Sequence, residues 1–307
     1  MELPDKAAAR EHPHVKAVGA MQQYIEAHLD EEITLDDLAK AAGYSKYHAV
    51  RVFNELTHRT PLEAVRALRL TRAAQTLQNA DGKIVDVAMS SGFDSHDGFT
   101  RAFSRQFNIT PQKYHAETPP VNWFIQHPIE AYCILKEGTE PMPKEIVSRT
   151  VTVTVVERPT RKLIFLRIPT ARDYFSACEE VGCDWEGFYN SIPEKFDTAA
   201  GGRLPASLIK PNTSGEAFFV EVPLDYRKPL PDGYEIAELP PCSYLYFNGM
   251  PFDDQNDFPT AIGILNESIE AYPYERFGWK KSDNAPYLGM GAEAETGARA
   301  AVPVEKM

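Results

Sequence analysis

The sequence contains few cysteines and no long apolar run. Its four cysteines are scattered, with neither a Cys-x-x-Cys spacing nor paired histidines: Cys133, Cys178, Cys183 and Cys242. Neither a zinc site nor a disulfide framework is therefore expected, and no cofactor is predicted. The first residues lack an apolar stretch followed by a small-residue cleavage site. This absence predicts a soluble, cytoplasmic protein that does not enter a membrane.

The chain also lacks an excess of basic charge. Its 32 Lys and Arg residues against 44 Asp and Glu residues give a net charge of −12, which argues against a wholly basic nucleic-acid binder. Between Ser45 and His115, however, ten basic residues face six acidic ones, a local charge of +4 that leaves −16 for the remainder. A locally basic segment in an acidic protein is a candidate DNA-facing module.

The first third of the chain shows helical periodicity. After a polar tail, residues 1–14, apolar residues recur every three or four positions from Val15 to Leu29. Thr34 then caps a two-turn helix that Gly43 ends, and Ser45 caps the next helix. Two short helices that meet at a tight turn are typical of a helix-turn-helix unit.

The same pattern returns fifty positions later. The matched features are Ser45 and Ser95, Arg51 and Arg101, Phe53 and Phe103, and Thr60-Pro61 and Thr110-Pro111. Ile84 to Ser91 predicts a short helix ended by Gly92, and either Ser95 or Asp94 caps the helix after it. We therefore predict an all-α domain with two helix-turn-helix units, joined by a long helix that begins at Pro61.

The segments SKYHAVRVF, RALRLTRAAQTL and IVDVAMSSGFDSHDGFTRAFSRQFNITPQKY resemble the DNA-binding domain of the AraC/XylS transcription regulators. The resemblance covers about residues 15 to 115, and the DNA-binding domain is predicted at 15–116. It implies a bipartite domain that places two recognition helices in successive major-groove segments of double-stranded DNA, with RNA polymerase as a further partner. Two recognition helices in one chain do not require a dimer.

The outward positions of the two recognition helices are the candidate DNA contacts: Lys46, Tyr47, Val50, Arg51, His96, Asp97, Thr100 and Arg101. Arginine can donate two hydrogen bonds to guanine, and Tyr47 and Val50 can contact a thymine methyl group. Asp97 either accepts from cytosine or caps the helix start. For each of these residues the alternative is a solvated side chain without a partner.

The composition changes after Tyr114. Residues 117–148 are rich in Pro and Glu and predict a linker, with a strand around Glu130 to Leu135. Residues 149–307 predict an α+β domain. Its strands are expected at 150–159, 162–171, 204–212, 216–226, 234–241 and 243–249. One helical stretch from Tyr174 to Ile192 is broken or bent at Gly182, a second helix spans Phe258 to Ala271, and the tail at 278–295 is a short extended segment.

The order of TVTVVERPTRKLIFLR, Trp185 and PDGYEIAELPPCSYLYFNG resembles the GyrI-like effector-binding domain. The resemblance implies a duplicated strand-helix-strand-strand unit whose cleft binds small, often aromatic or cationic compounds, as multidrug-binding domains do. Leu288 stands where drug-binding members commonly carry a glutamate, and Glu221 could substitute for it. The candidate ligand-binding residues are Trp185, Tyr189, Phe219, Glu221, Tyr246, Trp279 and Tyr287.

We therefore expect a transcription regulator, not an enzyme, whose second domain binds a small-molecule effector. Two alternatives stay open. The second domain could be a hydrolase that uses Glu221 with Tyr189 or Tyr246, although no Ser-His-Asp order supports it. It could also be a protein-interaction module, which a pocket filled by its own side chains would favour. An open pocket around Glu221 would indicate a cationic ligand.

Overall fold

A computed structural model describes residues 12–79, 84–93, 95–129, 151–182 and 184–307. Its contacts divide the chain into two compact units, Met1–Thr139 and Glu140–Met307. None of the described helices is both long enough and apolar enough to cross a membrane.

The first unit is helical, and the helices begin and end at the predicted signals. They are α1 (Pro13–Ala27), α2 (Leu35–Ala41), α3 (Lys46–Thr57), α4 (Pro61–Asn79), α5 (Ile84–Ser90), α6 (His96–Phe107) and α7 (Pro111–Glu117). Thr34 and Asp37 form the capping box of α2, in which each side chain bonds to the other residue's backbone N–H.

The fifty-residue repeat is confirmed at both ends of α3 and α6. The Ser45 hydroxyl accepts from the backbone N–H of His48 at 3.4 Å, and the Ser95 hydroxyl accepts from that of Gly98 at 3.1 Å. Ser95 is therefore the N-cap of α6. At the other end, the C-caps His58 and Asn108 are both left-handed, with φ of 56° and 55°.

Each helix-turn-helix unit has its own apolar core. In the first, Met21 and Leu38 pack with Phe53, and in the second, Phe99 and Phe103 pack with other buried side chains. The long helix α4 contributes its first turns to one core and its last turns to the other. A continuous helix therefore connects the two units through buried contacts, as predicted.

Residues 118–129, which we call the crossing segment, pack against both cores of the first unit. Val121 joins the second core and Ile129 the first. The Ile129 N–H donates to the Gln22 side chain at 2.9 Å, and the Phe124 N–H donates to the Thr71 hydroxyl at 2.9 Å. The start of the expected linker is thus part of the first unit's packing. The strand expected around residues 130–135 lies outside the described residues.

Within its described residues, 151–182 and 184–307, the second unit is built on one antiparallel sheet of nine strands. The strands are β1 (Thr152–Arg158), β2 (Arg161–Arg167), β3 (Ala200–Arg203), β4 (Glu216–Pro223), β5 (Tyr234–Leu239), β6 (Cys242–Asn248), β7 (Trp279–Lys281), β8 (Leu288–Glu293) and β9 (Gly297–Lys306). The helices are α8 (Tyr174–Val181), α9 (Trp185–Asn190) and α10 (Phe258–Ala271). The helical stretch predicted from Tyr174 to Ile192 is broken at Gly182, whose φ is +87°, into α8 and α9.

The strand order is β1-β6-β9-β8-β3-β4-β2-β5, with β7 paired to β9. This order is symmetric about its centre. Strands β1, β2, β3 and β4 of the first half occupy positions equivalent to those of β5, β6, β8 and β9 of the second half. At its centre, Gly201 of β3 pairs with Gly289 of β8. A Cβ on Gly289 would lie 2.8 Å from the Gly201 carbonyl oxygen, so this close approach requires glycine. The sheet is therefore a duplicated unit, each half having two strands, a helical segment and two strands, with β7 added in the second half. Each half thus has one strand more before its helical segment than the strand-helix-strand-strand unit that the resemblance implied.

One strand prediction is wrong, and one strand was not predicted. The strand predicted at 204–212 is a short 3₁₀ turn, Ala206–Leu208, and the strand lies instead at Ala200–Arg203. The extended tail segment expected at 278–295 contains β7 and β8, but the ten-residue β9 that follows it, and that pairs with β6, β7 and β8, was not predicted. Its sequence, GARAAVPVEK, is rich in alanine, and small side chains give little strand signal even where they are buried.

The two faces of the sheet are covered differently. One face packs on α8 and α9 in the first half and on α10 in the second. The opposite face, which we call the loop face, carries one apolar cluster to which both halves contribute, including Leu163, Phe219 and Tyr244. Side chains of both halves therefore meet on the loop face.

Candidate nucleic-acid interface and a buried ion-pair network

The predicted DNA contacts on α3 point away from the first core. Tyr47 is 80% exposed, and Val50 is half-buried. Lys46 forms an ion pair with Asp36 of α2 at 2.6 Å, and Arg51 lies 3.6 Å from Glu55. Both cations are more than half exposed, so each ion pair is weak and can exchange its acidic partner for a phosphate.

On α6, three of the four predicted contacts are exposed and Thr100 is half-buried. His96 and Asp97 are exposed and lie 3.8 Å apart. Arg101 is exposed, and within the described residues it has no ion pair. The Thr100 hydroxyl is buried, and it forms no hydrogen bond with the described part of the chain. Since Ser95 is the cap, the capping role considered for Asp97 is not observed.

A cluster of histidines beside α3 was missed by the sequence reasoning. The His14 ring lies 5.0 Å from that of His12 and 5.5 Å from that of His48, and Tyr44 lies 4.3 Å from His48. Burial, followed by the neighbouring His12, lowers the pKa of His14 below its ordinary value. The spacing of His12 and His14 is visible in the sequence, but their approach to His48 depends on how α1 packs on α3.

The seven candidate ligand-binding residues fall into three separate groups. Trp185 and Tyr189 pack on the helix face of the first half, where Trp185 stacks on Phe218 at 3.9 Å. Trp279 and Tyr287 pack on the helix face of the second half. The remaining three lie on the loop face: Phe219, Glu221 and Tyr246. The structure thus does not bring the seven residues together into one site.

Glu221 is buried in an ion pair on the loop face. The Arg161 guanidinium donates from Nε to Glu221 Oε1 at 2.6 Å and from Nη1 to the Pro240 carbonyl at 2.8 Å. The Tyr244 hydroxyl also donates to Glu221 Oε1, at 3.1 Å. The side chains of Arg161 and Glu221 are 0% and 3% exposed. Burial alone would lower the pKa of Arg161, but the Glu221 carboxylate raises that pKa above its ordinary value.

A second arginine approaches the same carboxylate from the other side. Arg158 Nε lies 3.4 Å from Glu221 Oε2, and Arg158 Nη2 lies 3.7 Å from an Asp197 oxygen. Its Nη2 also donates to the Tyr246 hydroxyl at 2.7 Å. The guanidinium carbon lies 5.3 Å from the centre of the Phe196 ring and 5.7 Å from that of Tyr246. Two arginines and two carboxylates therefore balance in charge.

This network limits the hydrolytic alternative. Glu221 lies on the loop face, whereas Tyr189 lies on the helix face and donates its hydroxyl to the Phe218 carbonyl at 2.8 Å. The sheet therefore separates the two groups. Tyr246 is on the correct face, but its hydroxyl accepts from Arg158. The network contains no base that is free of a cationic neighbour.

The sequence reasoning missed Arg158, Arg161 and Asp197. Strand alternation would place Arg161 on the face of Leu163 and Phe165, which are buried. That signal suggests a buried arginine, but its partner Glu221 is sixty positions away. Only the pairing of β2 with β4, in which Leu163 faces Glu221, brings the two together.

Known protein sequences are similar to the first third of the chain. The helix-turn-helix domain family matches residues 38–117. Regulatory protein SoxS of Salmonella typhimurium is 37% identical over 101 residues, a match that covers 33% of this chain and 94% of SoxS. Two thirds of the chain therefore has no counterpart in SoxS.

Two solved structures are similar to portions of the chain. A transcriptional regulator with an AraC-type DNA-binding domain from Chromobacterium violaceum has 31% identity and a TM-score of 0.32, over 33% of this chain and 90% of its own. The structure of SAV2435 bound to tetraphenylphosphonium has 12% identity and a TM-score of 0.32, over 50% of this chain and 94% of its own. With both scores below 0.5, neither likeness supports an inference on function.

Proposed function

The chain belongs to the AraC family of DNA-binding transcription regulators, and from this premise we propose that α3 and α6 are its two recognition helices. Each would enter one of two successive major-groove segments of double-stranded DNA. The observation that carries this proposal is the matched pair of helices, with the same cap, the same buried stripe and an outward arginine at positions 51 and 101. The other proposed contacts are Lys46, Tyr47, Val50, His96, Asp97 and Thr100.

The test is DNA binding by the full chain after selection of its preferred site from random sequences. Replacing Arg51 or Arg101 with Ala should cost about 1–3 kcal/mol of binding free energy where the arginine reads a base, and relax the preference at that position. Where it contacts a phosphate, affinity should fall for all sequences. Arg172→Ala removes the same charge from an exposed position in the second unit and serves as the control. If both variants bind as the control does, α3 and α6 are not the recognition helices.

The second unit is proposed to bind a small-molecule effector that changes DNA binding or contact with RNA polymerase, as a GyrI-like domain would. Its support is the charged network of Arg158, Glu221 and Asp197 beside the rings of Phe196 and Tyr246 on the loop face. Charged groups among aromatic rings are typical of a site that orients a ligand. An effector acts only through a difference in affinity between two states of the protein. Titration of DNA binding with and without candidate compounds measures this difference.

One observation favours a second candidate, a protein-interaction role for this unit. Five of the seven predicted ligand residues are buried among the protein's own side chains: Trp185, Tyr189, Phe219, Glu221 and Tyr246. A unit that bound RNA polymerase or another regulator without a ligand would need no open cleft. Binding of purified RNA polymerase to the full chain without any added compound would favour this candidate, and dependence on a compound would favour the effector role.

A further inference from the structure

Arg69 lies on the long helix α4 at the boundary between the two cores of the first unit. Leu68, the residue before it, packs against the core of the first helix-turn-helix, and Leu70, the residue after it, joins the core of the second. The Arg69 side chain is half-buried, and it is not one of the proposed DNA contacts. Its guanidinium is therefore placed where the two helix-turn-helix units meet.

On the side of the first helix-turn-helix, Arg69 bonds to the turn between α1 and α2. Its Nε donates to the Leu29 carbonyl at 3.0 Å, and its Nη2 donates to the Glu31 carbonyl. Two donors of one planar guanidinium fix its orientation as well as its position. Leu29 itself joins the core that α1 shares with α3. The turn that holds Arg69 is therefore packed together with the first proposed recognition helix.

On the side of the second helix-turn-helix, the guanidinium lies against the turn that precedes α6. That turn contains Gly92, whose φ is +73°. A Cβ added to Gly92 would lie 2.9 Å from Arg69 Nη1 and 3.2 Å from Arg69 Cζ, too close for a real side chain. The absence of a side chain at Gly92 thus lets the turn approach the guanidinium directly.

The first helix-turn-helix has an equivalent turn without this contact. Gly43 precedes α3 as Gly92 precedes α6, and its φ is +65°. In both turns the residue after the glycine donates its backbone N–H to a carbonyl five positions back. A Cβ on Gly43, however, would have no described atom within 4 Å. Positive φ explains glycine at both positions, whereas the contact with Arg69 is a further constraint on Gly92.

One side chain therefore bridges the turn after α1 and the turn before α6. Because α6 begins four positions after Gly92, a movement of that turn relative to α1 changes the position of α6 relative to α3. Two helices that read one duplex bind well only where their separation matches that of the two groove segments. Fixing this separation before binding avoids the free-energy cost of ordering the two helix-turn-helix units on DNA.

On the basis of the proposed function of α3 and α6, we propose that Arg69 is a positioning residue. It sets the orientation of the second helix-turn-helix relative to the first, and thereby the base-pair spacing between the two DNA segments that the chain selects. An arginine that only stabilised the fold would affect the affinity for sites of every spacing alike.

The experiment uses the full chain and its selected DNA site, together with two altered sites in which one base pair is inserted or removed between the two segments. One base pair shifts the second segment by about 3.4 Å and rotates it by about 35°. The unsubstituted chain should bind both altered sites at least about tenfold more weakly than the selected site. Arg69→Met keeps the apolar stem and loses the guanidinium. We expect it to bind the altered sites less than about threefold more weakly than the selected site, because the two helix-turn-helix units can then adjust to each spacing.

Three further variants separate this effect from a loss of charge or of turn geometry. Arg72→Met removes an equal charge from the same helix, where Arg72 pairs with Asp30 at 2.5 Å, and it should keep the tenfold discrimination. Gly92→Ala and Gly43→Ala each place a side chain at positive φ. Only Gly92→Ala displaces the guanidinium. It should therefore lose discrimination as Arg69→Met does, whereas Gly43→Ala should keep it.

Mobility shift titration measures the ratio of affinities for each variant, and thermal unfolding checks that each variant is folded. Full discrimination in Arg69→Met, or equal loss of discrimination in Gly43→Ala and Gly92→Ala, overturns the role of Arg69. If Arg69→Met does not fold, Gly92→Ala decides the question, and full discrimination in that variant overturns the role.

The same titrations distinguish a failure of this role from a failure of the proposed function. If Arg51→Ala and Arg101→Ala both weaken binding while Arg69→Met keeps full discrimination, α3 and α6 remain the recognition helices and only the role of Arg69 is rejected. If the unsubstituted chain binds every spacing equally, the two segments are not read at once. The two recognition helices and the positioning role are then rejected together.

Discussion

At the scale of single residues, Glu221 and Arg161 form a buried ion pair that each partner needs. Their side chains are 3% and 0% exposed. Taking two charges out of water is costly, and the mutual attraction with its added hydrogen bonds offsets that cost. Loss of one partner leaves the other buried without compensation.

Glu221→Gln is therefore expected to destabilise the second unit by about 3–5 kcal/mol, because the Arg161 charge stays buried. The double variant Arg161→Met with Glu221→Leu should lose less than either single change, because no lone charge remains. Urea unfolding measures the free energy of unfolding of each variant. Hydrogen exchange of the β2 and β4 amides reports the stability of these two strands. A cycle in which the two single changes simply add would contradict a coupled pair.

His14 is expected to make the stability of the first unit fall as the pH is lowered. Its pKa is lowered in the folded chain, chiefly by burial and then by His12. The unfolded chain therefore binds more protons just below the ordinary histidine pKa of about 6.5. Stability is complete above that value and falls as the pH drops toward the lower folded pKa.

Thermal unfolding between pH 7.5 and pH 5.5 tests this expectation. The melting transition of the first unit should move to lower temperature at the acidic end, and His14→Gln should reduce the shift. His28→Gln is the control, because His28 is paired with Glu31 at the surface and lies outside the cluster. An equal shift in the unsubstituted chain and in His14→Gln would show that other groups set the pH dependence.

At the scale of helices and strands, the C-terminal ends of α3 and α6 differ in one residue type. His58 ends α3 and Asn108 ends α6, both with left-handed backbone. Asparagine tolerates this conformation better than other residues with a side chain, and glycine adopts it without steric cost. The two caps are therefore equivalent in geometry but not in strain.

We expect His58→Gly to stabilise the first unit by about 1 kcal/mol, because it removes the steric cost of a side chain at positive φ. Asn108→Gly, at the equivalent position of the repeat, should change stability by less. Urea unfolding of the two variants side by side measures the difference. The prediction is wrong if His58→Gly loses more stability than Asn108→Gly does. The His58 imidazole would then make a contact that stabilises the folded chain by more than the strain destabilises it.

At the scale of the whole molecule, one chain carries both of the proposed recognition helices, α3 and α6, so the proposal sets the spacing of the DNA site within the protein. We expect insertion of five base pairs between the two preferred segments to place them on opposite faces of the duplex. Affinity should then fall at least tenfold, about 1.4 kcal/mol or more. Insertion of about ten base pairs, a full turn, returns the two segments to the same face of the duplex and serves as the control. Electrophoretic mobility shift titration measures affinity for the original site and for the two sites with insertions. Equal binding to all of them would mean that only one helix reads DNA.

The sequence by itself determined the helices of the first unit. Caps, apolar stripes and glycine stops act over three or four residues, so Ser45 and Ser95 could be read directly and the repeat identified. The same local logic identified most strands of the second unit. It failed at the alanine-rich β9, whose residues become a strand because β6 and β8 pair with it.

The tertiary structure alone decided which residues meet. Gln22 and Ile129 lie 107 positions apart, and Arg161 and Glu221 lie sixty apart. No local pattern encodes such partners, because each contact follows from the order in which strands and helices pack. For the same reason, the seven predicted ligand residues separated into three groups, and Arg158 came to lie among the rings and carboxylates of the loop face. The sequence specifies each element through short-range chemistry, and packing over long chain separations assembles the network around Glu221.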